Sequence, residues 1–197
     1  MKFSTKLIVF IQILVLVVFA EVKSQNKIDN SGTEFYFTFM PNWHNTAKSG
    51  DDLYVFISGK EITNGVIEYT DRNGNERTRN FSIGFSGQII TERFNPQQYE
   101  LVSHNDSGNF LNNGGDNERV VETSFKVTSE KDVTVVIHNE AQYTSDACLV
   151  YPSDALGQNY FVFSYESNVV AGSSNTPSQF VIVGTQDSTS VTIDPTA

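Results

Sequence analysis

The chain has 197 residues and is acidic, since 23 Asp and Glu side chains outnumber 13 Lys and Arg and give a net charge of −10. Nucleic-acid binding needs clustered basic side chains, so this balance argues against a nucleic-acid partner. The single cysteine, Cys148, excludes a disulfide within the chain.

Residues 1–24 have the pattern of a secretory signal peptide. Lys2 and Lys6 give a basic start, and residues 7–20 are apolar except for Gln12. A span of the bilayer takes about 20 apolar residues, so this run is too short, although a retained N-terminal anchor is the alternative. We expect a secreted domain of residues 25–197. It has lost three lysines and one glutamate, so its net charge is −12. No later apolar run reaches spanning length, so we expect no membrane insertion after cleavage.

The first strand is predicted at residues 32–39. Phe35, Phe37 and Phe39 lie two residues apart and therefore share one face of a strand. Residues 42–52 are polar and indicate a loop. Residues 53–57 are apolar at every position, which is typical of a strand buried between two layers.

The clearest local signal is Asn73-Gly74, which favours a tight turn with positive φ at both positions. We therefore predict a hairpin of residues 66–70 and 76–83. Asp71, Asn73 and Asn75 also have a superficial likeness to a calcium loop. The later glycine and the bidentate glutamate of an EF-hand are absent, so the residues favour a plain turn.

The middle of the chain alternates short strands with polar loops. Residues 88–94 predict a strand that Pro96 ends, and residues 104–118 form a long polar loop. Two further strands are predicted at 120–127 and 133–137, joined by a tight turn at 128–132. A second long loop covers residues 166–177. Long loops on a rigid sheet are where binding residues usually lie.

Three apolar runs near the C-terminus, at 161–165, 180–184 and 190–193, are short and rich in β-branched or aromatic residues. Turn residues bound each run, so we predict three buried strands. Pro152 has no N–H to donate to a ladder, and the chain is expected to turn there before the first of them.

These elements predict an all-β protein. No apolar pattern recurs at three and four residues over a helical length, and roughly ten short strands alternate with turn residues. The expected architecture is an antiparallel β-sandwich with long polar loops. Two small sheets packed in tandem are the alternative arrangement.

Several short motifs are shared with a known family. They are Gly32-Thr33-Glu34-Phe35, Phe39, Ser129-Glu130-Lys131-Asp132-Val133, Tyr143, Thr144, Asp146, Ala147, Pro152, Ala155-Leu156-Gly157, Tyr160, Ser178, Phe180-Val181-Ile182-Val183, Asp187, Thr189 and Val191. In these residues the chain resembles the N-terminal domain of IgGFc-binding proteins, found in secreted animal proteins and bacterial surface proteins. The family members extend past the position of Ala197, so we expect a chain shortened at its C-terminus.

The resemblance implies an extracellular binding domain. The animal protein that gives the family its name binds the Fc part of immunoglobulin G and lies in mucus, and bacterial relatives belong to large surface proteins. None of the shared residues is tied to Fc binding, so that ligand is not carried over to this chain.

No set of side chains predicts catalysis or metal binding. The three histidines, His44, His104 and His138, are not spaced as helical metal ligands. Cys148 lies in an apolar run and is predicted to be a buried, inert thiol. The aspartates are expected mostly to fix turns by accepting backbone N–H groups; they are Asp51, Asp52, Asp106, Asp116, Asp146, Asp154 and Asp187. We therefore predict no catalytic residue, metal or cofactor, and the sequence does not identify the binding residues.

Two acceptor sequons for N-linked glycans occur, Asn80-Phe81-Ser82 and Asn105-Asp106-Ser107. The second lies in a loop and is the expected acceptor in an animal cell. The first falls on a predicted strand and is expected to be the poorer acceptor. In a bacterium neither would be used.

The sequence thus favours a secreted or cell-surface, non-catalytic binding or adhesion module. Its expected partner is an extracellular protein or glycoprotein, such as a mucus, matrix or immunoglobulin-like protein. One alternative is a structural domain of a larger extracellular protein, with no ligand of its own. The other is an enzyme acting on polysaccharide, which would need two carboxylates about 5–9.5 Å apart.

Overall fold

The structure, a computed structural model, describes residues 30–42, 52–101, 119–141, 144–163 and 179–194. Several predicted features lie outside these residues: the signal peptide, both long loops (104–118 and 166–177), the second sequon, His44, His104, Asp51, Asp106 and Asp116. The regular secondary structure of the described part is almost all antiparallel strand, which confirms the all-β prediction. Its elements are β1 (Gly32–Phe37), β2 (Asp52–Gly59), β3 (Thr63–Thr70), β4 (Glu76–Ile83), β5 (Ile89–Phe94), α1 (Pro96–Tyr99), β6 (Ser124–Glu140), β7 (Ser145–Val150) and a 3-10 helix (Ser153–Ala155).

Strand β6 organises the sheet, because its two halves pair with different neighbours. The first half pairs with β1 and β3, and the second half pairs with β2 and β7. Strands β4 and β5 add to β3 and β2 respectively. All seven strands of the described residues therefore belong to one sheet.

The sheet curls until its two halves face each other across an aromatic core. The ring of Phe125 on β6 lies 5.0 Å from that of Phe94 on β5 and 5.1 Å from that of Phe37 on β1. Tyr69 on β3 is 5.0 Å from Phe94. The two contacts of Phe94 join β5 to β6 and to β3, strands with which it does not pair, so side-chain packing closes the sheet into a sandwich-like shape.

One arginine links the outermost strands of the two halves. Arg79 on β4 places a guanidinium nitrogen 2.8 Å from a carboxylate oxygen of Glu92 on β5. The same guanidinium lies 4.3 Å from the ring centroid of Phe94. Ion pairing and cation–π contact thus hold β4 against β5 where no backbone pairing is formed between them.

The alternation predicted for the first strand is confirmed, and the second strand, predicted to be buried on both faces, alternates as well. Phe35 and Phe37 on β1 and the nearby Phe39 are buried. On β2, Leu53, Val55 and Ile57 are buried, while the alternate residues are only partly buried. Thus β2 contributes one face to the core instead of being fully buried on both faces.

The predicted β3–β4 hairpin is confirmed, but its turn is different. Only Gly74 has a positive φ, of 77°, and its N–H donates to the carbonyl of Asp71. The Asp71 carboxylate accepts from the backbone N–H groups of Asn73 and Asn75 and from the Asn75 amide. The carboxylate thereby fixes the turn, which is the role predicted for aspartates in this chain. The sequence also favoured a plain turn over a calcium loop at this tip.

The predicted turn at residues 128–132 is wrong, because β6 runs continuously from Ser124 to Glu140. The two halves do not pair with each other. Each half instead has strands of its own on both sides, and the register against β1 shifts between Gly32 and Glu34. The segment contains neither Gly nor Pro, and its polar residues lie where the strand passes from one half of the sheet to the other.

The three buried strands predicted near the C-terminus are also wrong. Residues 161–163, 180–184 and 190–193 have no strand pairing, and their large apolar side chains are mostly exposed. Both sides of β6 are already occupied by four other strands. A strand-like composition needs a partner strand to be buried, and among the described residues these runs have none.

Candidate functional site

The outer face of the first half of the sheet carries a row of polar side chains. Phe125 and Val127 of β6 point into the core, so Lys126 points outward between them. The register places Tyr36 of β1 beside Lys126, Glu68 of β3 on its other side, and Thr78 of β4 next to Glu68. Four adjacent strands thus supply a rigid polar floor, listed in order as Tyr36, Lys126, Glu68 and Thr78.

Residues 183–187 border this floor and form one wall of a depression of about 550 Å³, which we call the outer groove. Arg77 and Glu76 of β4 line it as well. The volume falls in the range of small-ligand sites. The groove therefore joins the sheet to the C-terminal part of the chain, two regions far apart in sequence.

The wall of the groove is a locally organised turn. The hydroxyl of Thr189 donates to the carbonyl of Gln186 over 2.7 Å, and Ser188 has a φ of 61°. A non-glycine residue in the left-handed region is uncommon and costs free energy, so the hydroxyl contact offsets part of that cost. Asp187 lies in this turn at the edge of the groove.

Lys126 is held in its charged form. Its Nζ atom lies 3.1 Å from a carboxylate oxygen of Glu34 and 5.2 Å from the ring centroid of Tyr36. Hydrogen bonds to Tyr36 and then to Glu34 raise the pKa of Lys126, and the bond to Lys126 lowers the pKa of Glu34. The floor therefore presents a fixed ammonium group beside the free carboxylate of Glu68, which suits polar recognition and not nucleophilic chemistry.

A second exposed feature follows the 3-10 helix. Phe161 and Phe163 are 90% and 92% exposed, and Val162 between them is 61% exposed. We call residues 161–163 the exposed apolar row. The preceding Tyr160 is anchored, since its hydroxyl donates to the carbonyl of Gly157 over 2.8 Å and accepts from the N–H of Gly157. Consecutive exposed aromatic side chains are typical of an interaction surface.

The structure reveals one contact that sequence reasoning missed. His138 on β6 lies 2.6 Å from the Ser145 hydroxyl on β7, and its ring stacks on Tyr54 at a centroid distance of 6.0 Å. The pairing of β6 with β7 creates this contact, and no sequence spacing indicates it. A serine–histidine contact alone lacks the orienting group and the oxyanion donors of a hydrolase site.

Cys148 is exposed on β7, so the prediction of a buried thiol is wrong. The residue lies near the end of an outer strand, where the sheet does not cover it. Desolvation of the sulfur, followed by the nearby Asp146 carboxylate, raises the pKa of the thiol. The thiol is therefore protonated at neutral pH, which keeps its nucleophilicity low.

The predicted aspartates have different environments. Asp52 is buried and forms an ion pair with Arg93, whereas Asp146 lies exposed on β7. Asp154 lies in the 3-10 helix. Within the described ranges, no three His, Cys, Asp or Glu side chains are grouped to hold a metal ion. The same residues contain no helix long and apolar enough to cross a membrane.

Three comparisons with known proteins bear on this chain. A family model described as IgGFc binding protein matches residues 146–197. No curated protein matches. A solved structure titled "Crystal Structure of Thermotoga maritima 1070" is 11% identical, with a TM-score of 0.39, and the match covers 64% of this chain and 97% of that one.

The family match includes β7 from Asp146 onward, the exposed apolar row and the wall of the outer groove. It leaves the motifs at residues 32–39 and 129–133 outside its range, so the resemblance there stays a prediction. By its description the family is one of binding proteins and not of enzymes. The resemblance predicted from the sequence is thus confirmed for residues 146–197, which are similar to the IgGFc binding protein family.

Proposed function

We propose that this chain is a secreted, non-catalytic module that binds an extracellular protein or glycoprotein. One observation carries the proposal: the exposed apolar row lies within residues 146–197, the segment that matches a family of binding proteins. Apolar side chains exposed side by side cost solubility, and contact with a partner would remove them from water.

The charge of the chain supports the same class of partner. An acidic domain does not favour nucleic acid or anionic lipid, and a signal peptide at residues 1–24 would deliver it outside the cell. The outer groove adds polar groups of both signs on a rigid floor. We propose that the exposed apolar row supplies affinity and that the groove contributes orientation.

Two substitutions in the row and a matched control test this proposal. The secreted chain is passed over immobilised immunoglobulin G Fc, mucin and matrix glycoproteins in a surface-binding assay. The double variant F161S/F163S is expected to lose at least about tenfold in affinity for whichever protein binds, since each ring removed is an exposed anchor. F85S removes another aromatic ring, 64% exposed but outside the family-matched segment, and should bind as the unchanged chain does.

The alternatives give different results. A structural domain without a ligand would show no binding to any of these proteins at micromolar concentration. Equal losses in F161S/F163S and F85S would mean that the row is not the contact surface. Release of reducing sugar from a polysaccharide would instead favour an enzyme using the groove carboxylates, namely Glu68, Glu76 and Asp187.

A further inference from the structure

The Asn80 sequon lies on a strand whose geometry exposes its acceptor. Phe81 is buried in the core, so the residues on either side of it point to the outer face of β4. Asn80 and Ser82 are both exposed on that face. The acceptor amide and the hydroxyl that the sequon requires therefore lie on the solvent side of the sheet.

Strand β4 is also an edge strand. It pairs with β3 on one side, where Asn80 is opposite Val66, and no described strand pairs with its other side. A shallow depression of about 590 Å³ beside Asn80 is lined by Val66, Thr128 and Glu130. A sugar attached to Asn80 would thus have open space above polar strands and would displace no core residue.

We propose that Asn80 carries an N-linked glycan when the chain passes through a eukaryotic secretory pathway. The side-chain amide nitrogen of Asn80 forms a bond to C1 of the first N-acetylglucosamine, and the amide gives up one proton. The bond between that carbon and the diphosphate of a lipid-linked oligosaccharide donor breaks, and the lipid diphosphate leaves. This inference does not depend on the proposed function.

The glycan has a physical consequence for the sheet. An uncovered edge strand can pair with a strand of another chain and start aggregation. A bulky, hydrated oligosaccharide at the middle of β4 would block that approach. Because Asn80 lies on a strand, the sequence predicted it to be the poorer acceptor. The same position on an edge strand would let a glycan protect that edge.

Expression of the secreted chain in eukaryotic cells tests the proposal in an N105Q background, which leaves Asn80-Phe81-Ser82 as the remaining sequon. We expect one glycan. Peptide N-glycosidase should remove it and, in heavy-oxygen water, leave an oxygen-18 label on residue 80, which peptide mass spectrometry detects. S82A should abolish the glycan and S82T should keep it, because the enzyme needs a hydroxyl at that position. Circular dichroism checks that S82A is folded.

A secreted, folded N105Q protein without a glycan at Asn80 would overturn the inference. So would a glycan that survives in S82A. Loss of protein binding in the preceding experiment would leave this result unchanged, so the two proposals fail separately.

Discussion

The sheet and the described C-terminal residues, 156–163 and 179–194, have similar strand-like compositions but opposite burial. Phe125 on β6 is 1% exposed, whereas Phe161 is 90% exposed. Phe125 has paired strands on both sides and aromatic neighbours across the core. Phe161 follows a proline-led turn and has no paired strand. The difference shows that burial of a β-type run depends on an available neighbour and not only on its composition.

The largest expected effect comes from removing one ring in each region. F125A should lower the free energy of unfolding by about 3–5 kcal/mol, because it leaves a cavity at the centre of the aromatic core. F161A also deletes a phenyl ring, but one that is exposed to solvent. This substitution should change the free energy of unfolding by less than about 0.5 kcal/mol. Urea denaturation followed by circular dichroism measures both. Comparable losses would show that residue 161 is packed.

The next largest effect on stability is expected from replacing a glycine in each region by alanine. At Gly65 of β3 an added Cβ would lie 2.2 Å from the Phe81 ring and 2.4 Å from the Thr128 carbonyl, so G65A should cost about 1–3 kcal/mol. At Gly157 nothing lies within 4 Å, and G157A is expected to be neutral or stabilising by up to about 1 kcal/mol. The same denaturation experiment compares them. Equal destabilisation by the two variants would remove the distinction between the regions.

The two turns are expected to differ in acid. Hydrogen bonds from Asn75, first of its side chain and then of its backbone, lower the pKa of Asp71 below the ordinary value of 3.8. A lowered folded-state pKa adds stability above the ordinary value, and that stability is lost as pH falls through the folded pKa. Wild-type stability should therefore drop below about pH 4.

D71N should be less stable than wild type at neutral pH and should show a smaller drop in acid. D187N removes a carboxylate from the turn at the groove, outside the sheet, and controls for the loss of one negative charge. Thermal unfolding from pH 2 to 7 measures all three proteins. If D71N loses as much stability in acid as the wild type does, other carboxylates cause that loss.

The sequence predicted features that depend on neighbours along the chain. The two-residue alternation of β1 and the Asn-Gly hairpin are confirmed, because strand pleating and turn chemistry act over a few residues. The motifs near residues 146–191 likewise predicted the family match that the comparison confirms. The outer groove was not predicted, because its floor and its wall come from distant parts of the chain. Tyr36 of the floor and Asp187 of the wall, for example, are more than a hundred residues apart.

The amino-acid sequence by itself determined that this is an acidic, all-β chain with short strands and no helical periodicity, because composition and spacing suffice for those properties. Only the tertiary structure decided that β6 continues through residues 128–132 and that the apolar runs near Phe161 and Phe180 face solvent. Both outcomes depend on which strand edges are already occupied. Edge occupancy is a property of pairings between distant segments, and no local pattern of residues encodes it.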